Sequence, residues 1–255
     1  MGHVDRTAAL RWRIRSIPVI GWVAPRAFRF VTPSRRREDA QSRRLNDVFN
    51  FTTVQTGPFA GMRLVGTSHP VVQLGCYEAE LHPLIESWSG YDRIVDVGCG
   101  QGWYTTGLAL RMPGADIYGF DIDPVARSRS RETAEANGVK VTIGEAIMAE
   151  QIGALVEGRT LVIMDVEGAE LELLDPSVGL GLSRADILVE MHDFIRKGAT
   201  ETILARFPAR TPTVIEQTPR DPSQYPVLAR LDPADQQRAI SDQRPGDQHW
   251  LWLPL

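Results

Sequence analysis

Cysteine is nearly absent from this sequence. Cys76 and Cys99 are the only two among 255 residues. They close at most one bridge and lack the spacing of a metal knuckle, which excludes a disulfide scaffold and a zinc module. A reducing, cytoplasmic setting is expected. No run of 18 apolar residues occurs, so no transmembrane helix is expected. An excess of one charge is missing too. The 28 basic and 32 acidic residues leave a net charge of −4, which gives no electrostatic reason to bind nucleic acid. Lysine is scarce, with Lys140 and Lys197 alone, but arginine fills the basic count and no function follows. The remainder is ordinary globular material, with 43% hydrophobic and 24% charged residues, enough for a full core.

The first part of the chain differs from the rest. Arg6, Arg11, Arg13 and Arg15 precede the apolar stretch 17–24, an arrangement like a secretory leader. Pro18, Gly21 and Pro25 interrupt it and no small-residue cleavage site follows. An arm packing on the main domain is the expectation, with a lid or a homodimer contact as alternatives. Arg35–Arg37, Arg43 and Arg44 read as a solvated helix face. Residues 1–75 are taken as an N-terminal helical and strand extension, with short strands between Phe51 and Val65, and 76–255 as the main domain.

From Tyr77 to Trp88 the apolar spacing is helical, with Pro83 set to kink it or start a second turn. Strands and helices then alternate. Strands are expected at 93–97, 116–120, 140–143, 160–164, 187–191, 214–216 and 250–253. Helices are expected at 103–111, 124–137, 146–156, 169–174 and 199–206. Asp123-Pro124 marks a helix start and Gly138 a stop. Alternation with short links means an α/β, doubly wound, mostly parallel sheet. The last two strands read as an antiparallel pair at one edge.

The strongest motif is Val95-Asp96-Val97-Gly98-Cys99-Gly100-Gln101-Gly102, where the first strand of the sheet meets its first helix. Gly98, Gly100 and Gly102 let the backbone turn and let a ligand approach closely. The next helix, opening at Trp103, aims its N–H groups at the same crevice. The dinucleotide pattern G-x-G-x-x-G fails in both frames, since Trp103 or Thr105 takes the last slot, and the Gly-Lys-Ser/Thr of a phosphate loop is absent. A ligand without a pyrophosphate is indicated. Asp96 can accept from an ammonium group. Asp121 ends the second strand, where a carboxylate can take two ribose hydroxyls, and Ile122 follows it. Glu145 ends the third strand and can accept from an adenine amine, with the Ala146 backbone beside it. Amino acid, ribose and adenine across three strand ends make S-adenosylmethionine. Cys99 lies in the loop as a small filler.

These segments resemble class I S-adenosylmethionine-dependent methyltransferases, and within them the FkbM family. The carriers are the loop at 96–102, then Phe120-Asp121-Ile122-Asp123-Pro124, then Asp165-Val166-Glu167-Gly168-Ala169-Glu170, then Glu190-Met191-His192. Gly100 stands where the family more often has Asn. The resemblance runs from Tyr77 to His192 and loosely includes Trp250-Leu251-Trp252. It implies a Rossmann-like sheet of seven strands with one antiparallel edge strand, and transfer of a methyl group to a small-molecule hydroxyl.

A hydroxyl acceptor must lose its proton or be held by a metal. Asp165 and Glu167 after the fourth strand, and Glu190, His192 and Asp193 after the fifth, are the candidates. Asp165 is also placed against the cofactor. The favoured reading makes His192 the general base, oriented by Glu190 or Asp165, with no metal. The alternative gives Asp165 with His192 or Asp193 a divalent cation. Glu167 can equally cap a helix. Tyr77 reads as core; His69 and His82 read as surface or hydrogen-bonded core. Rival functions are transfer to nitrogen on a small molecule or protein, and a cofactor-binding module without transfer. Methylation of nucleic-acid amines is disfavoured because Met164-Asp165-Val166-Glu167 stands where Asn/Asp-Pro-Pro-aromatic belongs.

Overall fold

The computed structural model describes residues 50–66, 68–242, 244, 246 and 248–255. The chain divides into units 1–41 and 42–255, and every described residue lies in the second. The basic arm and the arginine runs therefore fall outside the described residues.

The helices are α1 (Pro70–Leu74), α2 (His82–Ser87), α3 (Trp103–Arg111), α4 (Pro124–Ala136), α5 (Ala149–Leu155), α6 (Glu170–Leu173), α7 (Ala199–Arg206) and α8 (Pro233–Ala239). The strands are β1 (Arg93–Val97), β2 (Asp116–Phe120), β3 (Thr142–Gly144), β4 (Thr160–Met164), β5 (Ala185–Met191), β6 (Thr213–Glu216) and β7 (His249–Leu253). They form one seven-stranded sheet in the order β3-β2-β1-β4-β5-β7-β6. The first five pair in parallel, and β7 runs antiparallel to both β5 and β6. This is the doubly wound, Rossmann-like α/β sheet expected, with its antiparallel pair at one edge. The order reverses between β1 and β4, which opens a crevice at the carboxyl ends of the strands.

Register decides which loops meet. Phe120 pairs with Val97, Val97 with Met164, and Met164 with Val189. The next residues along these strands, Asp121, Gly98, Asp165 and Glu190, thus form one row across the top of the sheet. Both faces below are covered. Ile94, Leu161, Ile163 and Leu188 enter a core with Trp88, Leu108 and Trp250. Val95, Val162 and Ile187, on the opposite face by alternation, are fully buried as well. Val54, Phe59 and Met62 from the segment before α1 belong to the same core as Leu161.

Three local expectations are corrected. Between Phe51 and Val65 the backbone forms a single antiparallel bridge, Thr53 to Arg63, and no strand. The reversals at Gly57 (φ 76°) and Gly61 (φ 87°) leave too little extended chain. The helix expected over 77–88 is split, because Glu78 takes a left-handed φ of 49°; a short 3₁₀ turn follows, and Pro83 sits in the first turn of α2. The helix expected from Ala146 starts at Ala149, since Met148 is extended and its N–H donates to the Gln151 side chain at 2.9 Å. Asp123 caps α4 as read, accepting from Val125 N at 2.8 Å. Pro233–Ala239 adds a helix between β6 and β7, where none was expected.

Leu161 is fully buried in the central strand β4. Leu161→Ala is expected to lose about 2–5 kcal/mol of unfolding free energy, measured by urea denaturation, with the denaturant slope unchanged. A loss below 0.5 kcal/mol would contradict this placement of the core.

Candidate active site

The loop after β1 is built on glycine. Gly98, Gly100 and Gly102 have φ of 89°, 50° and 88°, a region costly for residues bearing a Cβ. Gly98 has a second constraint. A Cβ there would lie 1.7 Å from the Asp165 carbonyl oxygen, so the loops after β1 and β4 touch through their backbones. Asp165 N donates to Val97 O at 2.9 Å, and Gly98 N and Cys99 N both donate to Phe120 O. Gly102 then caps α3, which opens at Trp103. The Trp103 ring stands edge-on to Phe59 and Tyr77, at 5.0 and 5.7 Å between centroids. Cys99 is a buried free thiol, as is Cys76.

Asp121 is held rigid at the end of β2. One carboxylate oxygen accepts from Gly100 N at 2.9 Å and the other from Asp123 N at 2.8 Å. A fixed acid beside a glycine turn fits a ribose. Ile122 follows it 60% exposed and Met148 is 49% exposed, apolar surface of the kind a purine ring covers. Glu145 and Ala146, after β3, are exposed. Arg127 on α4 ties the two strand ends together. It donates to the carbonyls of Asp121 (2.9 Å) and Ile122 (3.0 Å) and lies 3.5 Å from Glu145. Its role gave no sequence signal.

The carboxyl ends of β4 and β5 carry a cluster centred on His192. Its Nε2 lies 3.5 Å from Glu190 Oε2 and 3.7 Å from both Asp165 Oδ1 and Glu167 Oε2. Its Nδ1 is 2.6 Å from Glu170 Oε1, which also accepts from Gly168 N at 2.9 Å. Glu167 takes a left-handed φ of 52° and Gly168 one of 101°, so the chain turns sharply and returns Glu170 beneath the imidazole. Burial works against a charged imidazole, but the hydrogen bond to Glu170 and the charges of Asp165, Glu170 and Glu167 outweigh it and raise the His192 pKa. Glu190 is pushed up to about 11 by burial and by Asp165 and Glu78, against the pull of Arg244.

The structure thus joins Asp165, Glu167, Glu190 and His192, and leaves Asp193 out. Asp193 turns to Thr200, accepting from its hydroxyl and from its N–H at 3.3 Å. Two members escaped the sequence reading. Glu170 stood in the quoted segment without a role. Arg244 comes from the link before β7 and reaches Glu190 at 3.3 Å, Glu80 at 2.7 Å and Glu78 at 3.8 Å. Glu78 is buried, accepts a short hydrogen bond from the Tyr104 hydroxyl and has its pKa lifted to about 8, chiefly by burial.

Asp96 lies lower, 2% exposed, and accepts from Thr105 Oγ1 at 2.6 Å. Burial lifts its carboxyl from 3.8 to about 7, against the Thr105 hydrogen bonds. A carboxyl with a raised folded pKa binds protons on folding. Its contribution is level below about pH 4, falls as pH rises to about 7, and is level again above. Asp96→Asn is therefore expected to gain stability relative to the native protein across that interval, measured by urea unfolding at a series of pH values. A difference that does not change with pH would count against a buried, protonated Asp96.

Residues 94–175 match a family model described as a methyltransferase domain. The ribosomal protein L11 methyltransferase of Aeromonas hydrophila is 31% identical over 127 residues, 49% of this chain and 42% of that protein. The release factor glutamine methyltransferase of Geobacter sulfurreducens is 25% identical over 126 residues, 48% and 44% of the two chains. The chain thus spans less than half the length of these curated relatives. Among solved structures, methyltransferase FkbM from Methylobacillus flagellatus is similar at 15% identity and a TM-score of 0.44, over 66% of this chain and 45% of that one. A likeness that distant adds nothing to the fold described above. The matched stretch contains the glycine loop, Asp121, Glu145 and Asp165, and the chain carries an S-adenosylmethionine-dependent methyltransferase domain of class I, Rossmann-like architecture.

Proposed function

We propose that the protein transfers the methyl group of S-adenosylmethionine to a hydroxyl of a small molecule such as a sugar, glycolipid or natural product, and that it is of the FkbM kind. The observation that carries this reading is the contact between Gly98 and the Asp165 carbonyl, which sets the loop of the methyl donor against the acid–imidazole cluster. The segments 165–170 and 190–192, which underlie the FkbM resemblance, are the ones that build that cluster.

The donor supplies an electrophilic methyl on sulfonium, so that a C–O bond forms as the C–S bond breaks with its electron pair on sulfur. The chain's own residues bind, orient and deprotonate. Asp121 takes the ribose hydroxyls, fixed by Gly100 N and Asp123 N. Ile122 and Ala146 flank the adenine, with Glu145 at its amine. Gly98, Gly100 and Gly102 let the amino-acid end lie close to the backbone, and Asp96 braces the loop from beneath through Thr105. The acceptor's hydroxyl proton leaves to His192, which is set among Asp165, Glu167 and Glu190. Holding the oxygen in line behind the methyl can contribute about 7–11 kcal/mol.

The curated relatives are named for a ribosomal protein and a release factor glutamine, which supports a second reading, transfer to a protein. Incubation with labelled S-adenosylmethionine and a panel of hydroxylated small molecules separates the two: O-methyl products support the proposal, and label confined to protein contradicts it. For the donor site, Asp121→Ala is expected to weaken S-adenosylmethionine binding about 10- to 150-fold in calorimetry, since a charged acceptor of two hydroxyls is removed, with circular dichroism unchanged. Unaltered affinity would sink the ribose assignment.

A further inference from the structure

We propose that Asp165, Glu190 and His192 bind one divalent metal ion that holds the acceptor's oxygen next to the methyl donor; this rests on the methyl-transfer reading above. One ligand atom from each of the three side chains lies within 4.8 Å of the other two. The separations from Nε2, 3.7 Å to Asp165 Oδ1 and 3.5 Å to Glu190 Oε2, are long for hydrogen bonds. They suit donor atoms that each lie about 2.0–2.2 Å from a shared ion.

A second, independent observation points to a ligand. His192 is fully buried, and neither its Nε2 nor Asp165 Oδ1 has a hydrogen-bond partner among the described residues. The two atoms lie 3.7 Å apart. A third concerns what stands behind the imidazole. Glu170, itself fully buried, lies 2.6 Å from Nδ1. A carboxylate accepting the Nδ1 proton fixes the tautomer and leaves the Nε2 lone pair directed into the cluster, the arrangement found behind metal-bound histidines.

The donor set is one imidazole nitrogen and two carboxylate oxygens with no thiolate. That mixture suits manganese, iron or zinc rather than a soft monovalent ion. Nε2 cannot both bind an ion and accept a proton, so His192 becomes a ligand rather than the base. The ion polarises the acceptor hydroxyl, and the proton passes to the Glu167 carboxylate, which lies 3.7 Å from Nε2 with its side chain 55% exposed. The oxygen lone pair then forms the C–O bond while the C–S pair stays on sulfur, which balances the step without a further reactant.

The full-length protein is stripped with a chelator, dialysed and titrated with manganese(II) chloride, with free metal read by electron paramagnetic resonance. One ion per chain is expected. His192→Ala and Glu190→Gln are expected to weaken binding at least tenfold, and Glu170→Gln, which touches no ion, about 10–100-fold. Thermal unfolding and S-adenosylhomocysteine binding are measured on each variant, and the isosteric Glu190→Gln serves where His192→Ala does not fold. No manganese bound by the native protein, or equal binding in a folded Glu190→Gln variant, would overturn the metal site. Intact S-adenosylhomocysteine binding in that case leaves methyl transfer standing, whereas its absence from the native protein defeats methyl transfer independently.

Discussion

The architecture turns on one backbone contact at the top of the sheet. The loop after β1 presses on the loop after β4 so closely that a single methyl group at residue 98 would coincide with the Asp165 carbonyl. Parallel pairing of Val97 with Met164 brings the loops together, and a left-handed glycine lets them touch. Extended sideways, the same register aligns Asp121 on one flank and Glu190 on the other. An adenosine-based donor lying along β1 and β2 would therefore end against an acid-rich cluster on β4 and β5.

The second constraint is electrostatic. Burying several carboxylates at one end of a sheet is unfavourable unless positive partners or protons accompany them. Arg244 and Arg220 fill that need from the segment between β6 and β7. Arg244 reaches Glu78, Glu80 and Glu190, and Arg220 reaches Glu80 and Asp242. Arg220 and Arg244, from the segment between β6 and β7, thus neutralise the floor of the site while leaving His192 among acids. Tyr104 on α3 and Glu78 close the same network from the cofactor side.

Much of this was legible in the sequence because it is local. Strands β1, β2 and β4 and helices α3 and α7 follow from apolar runs, caps and glycine stops, and Asp123-Pro124 marks a helix start whatever its neighbours. Asp121 could be singled out because it ends a strand at a fixed distance from a glycine turn. The illegible parts are relations between distant residues. The His192–Glu170 pair spans 22 positions, and Arg244 meets Glu78 across more than half the described chain. Neither has a spacing that a pattern can carry. Asp193, adjacent to His192, looked like a member of the cluster; only the α7 start, where Thr200 takes it, shows otherwise. The strands expected before Val65 failed for the opposite reason, since propensity was counted where glycine turns leave no room for pairing.

The central claim is that the methyl donor lies across the ends of β3, β2 and β1 with its sulfur turned toward His192. A crystal structure with S-adenosylhomocysteine tests it most directly. The account requires both ribose hydroxyls on Asp121, the adenine beside Ile122 and Ala146, and the sulfur facing Asp165 and His192. A ligand seated elsewhere, or one whose sulfur points away from β4 and β5, would contradict it.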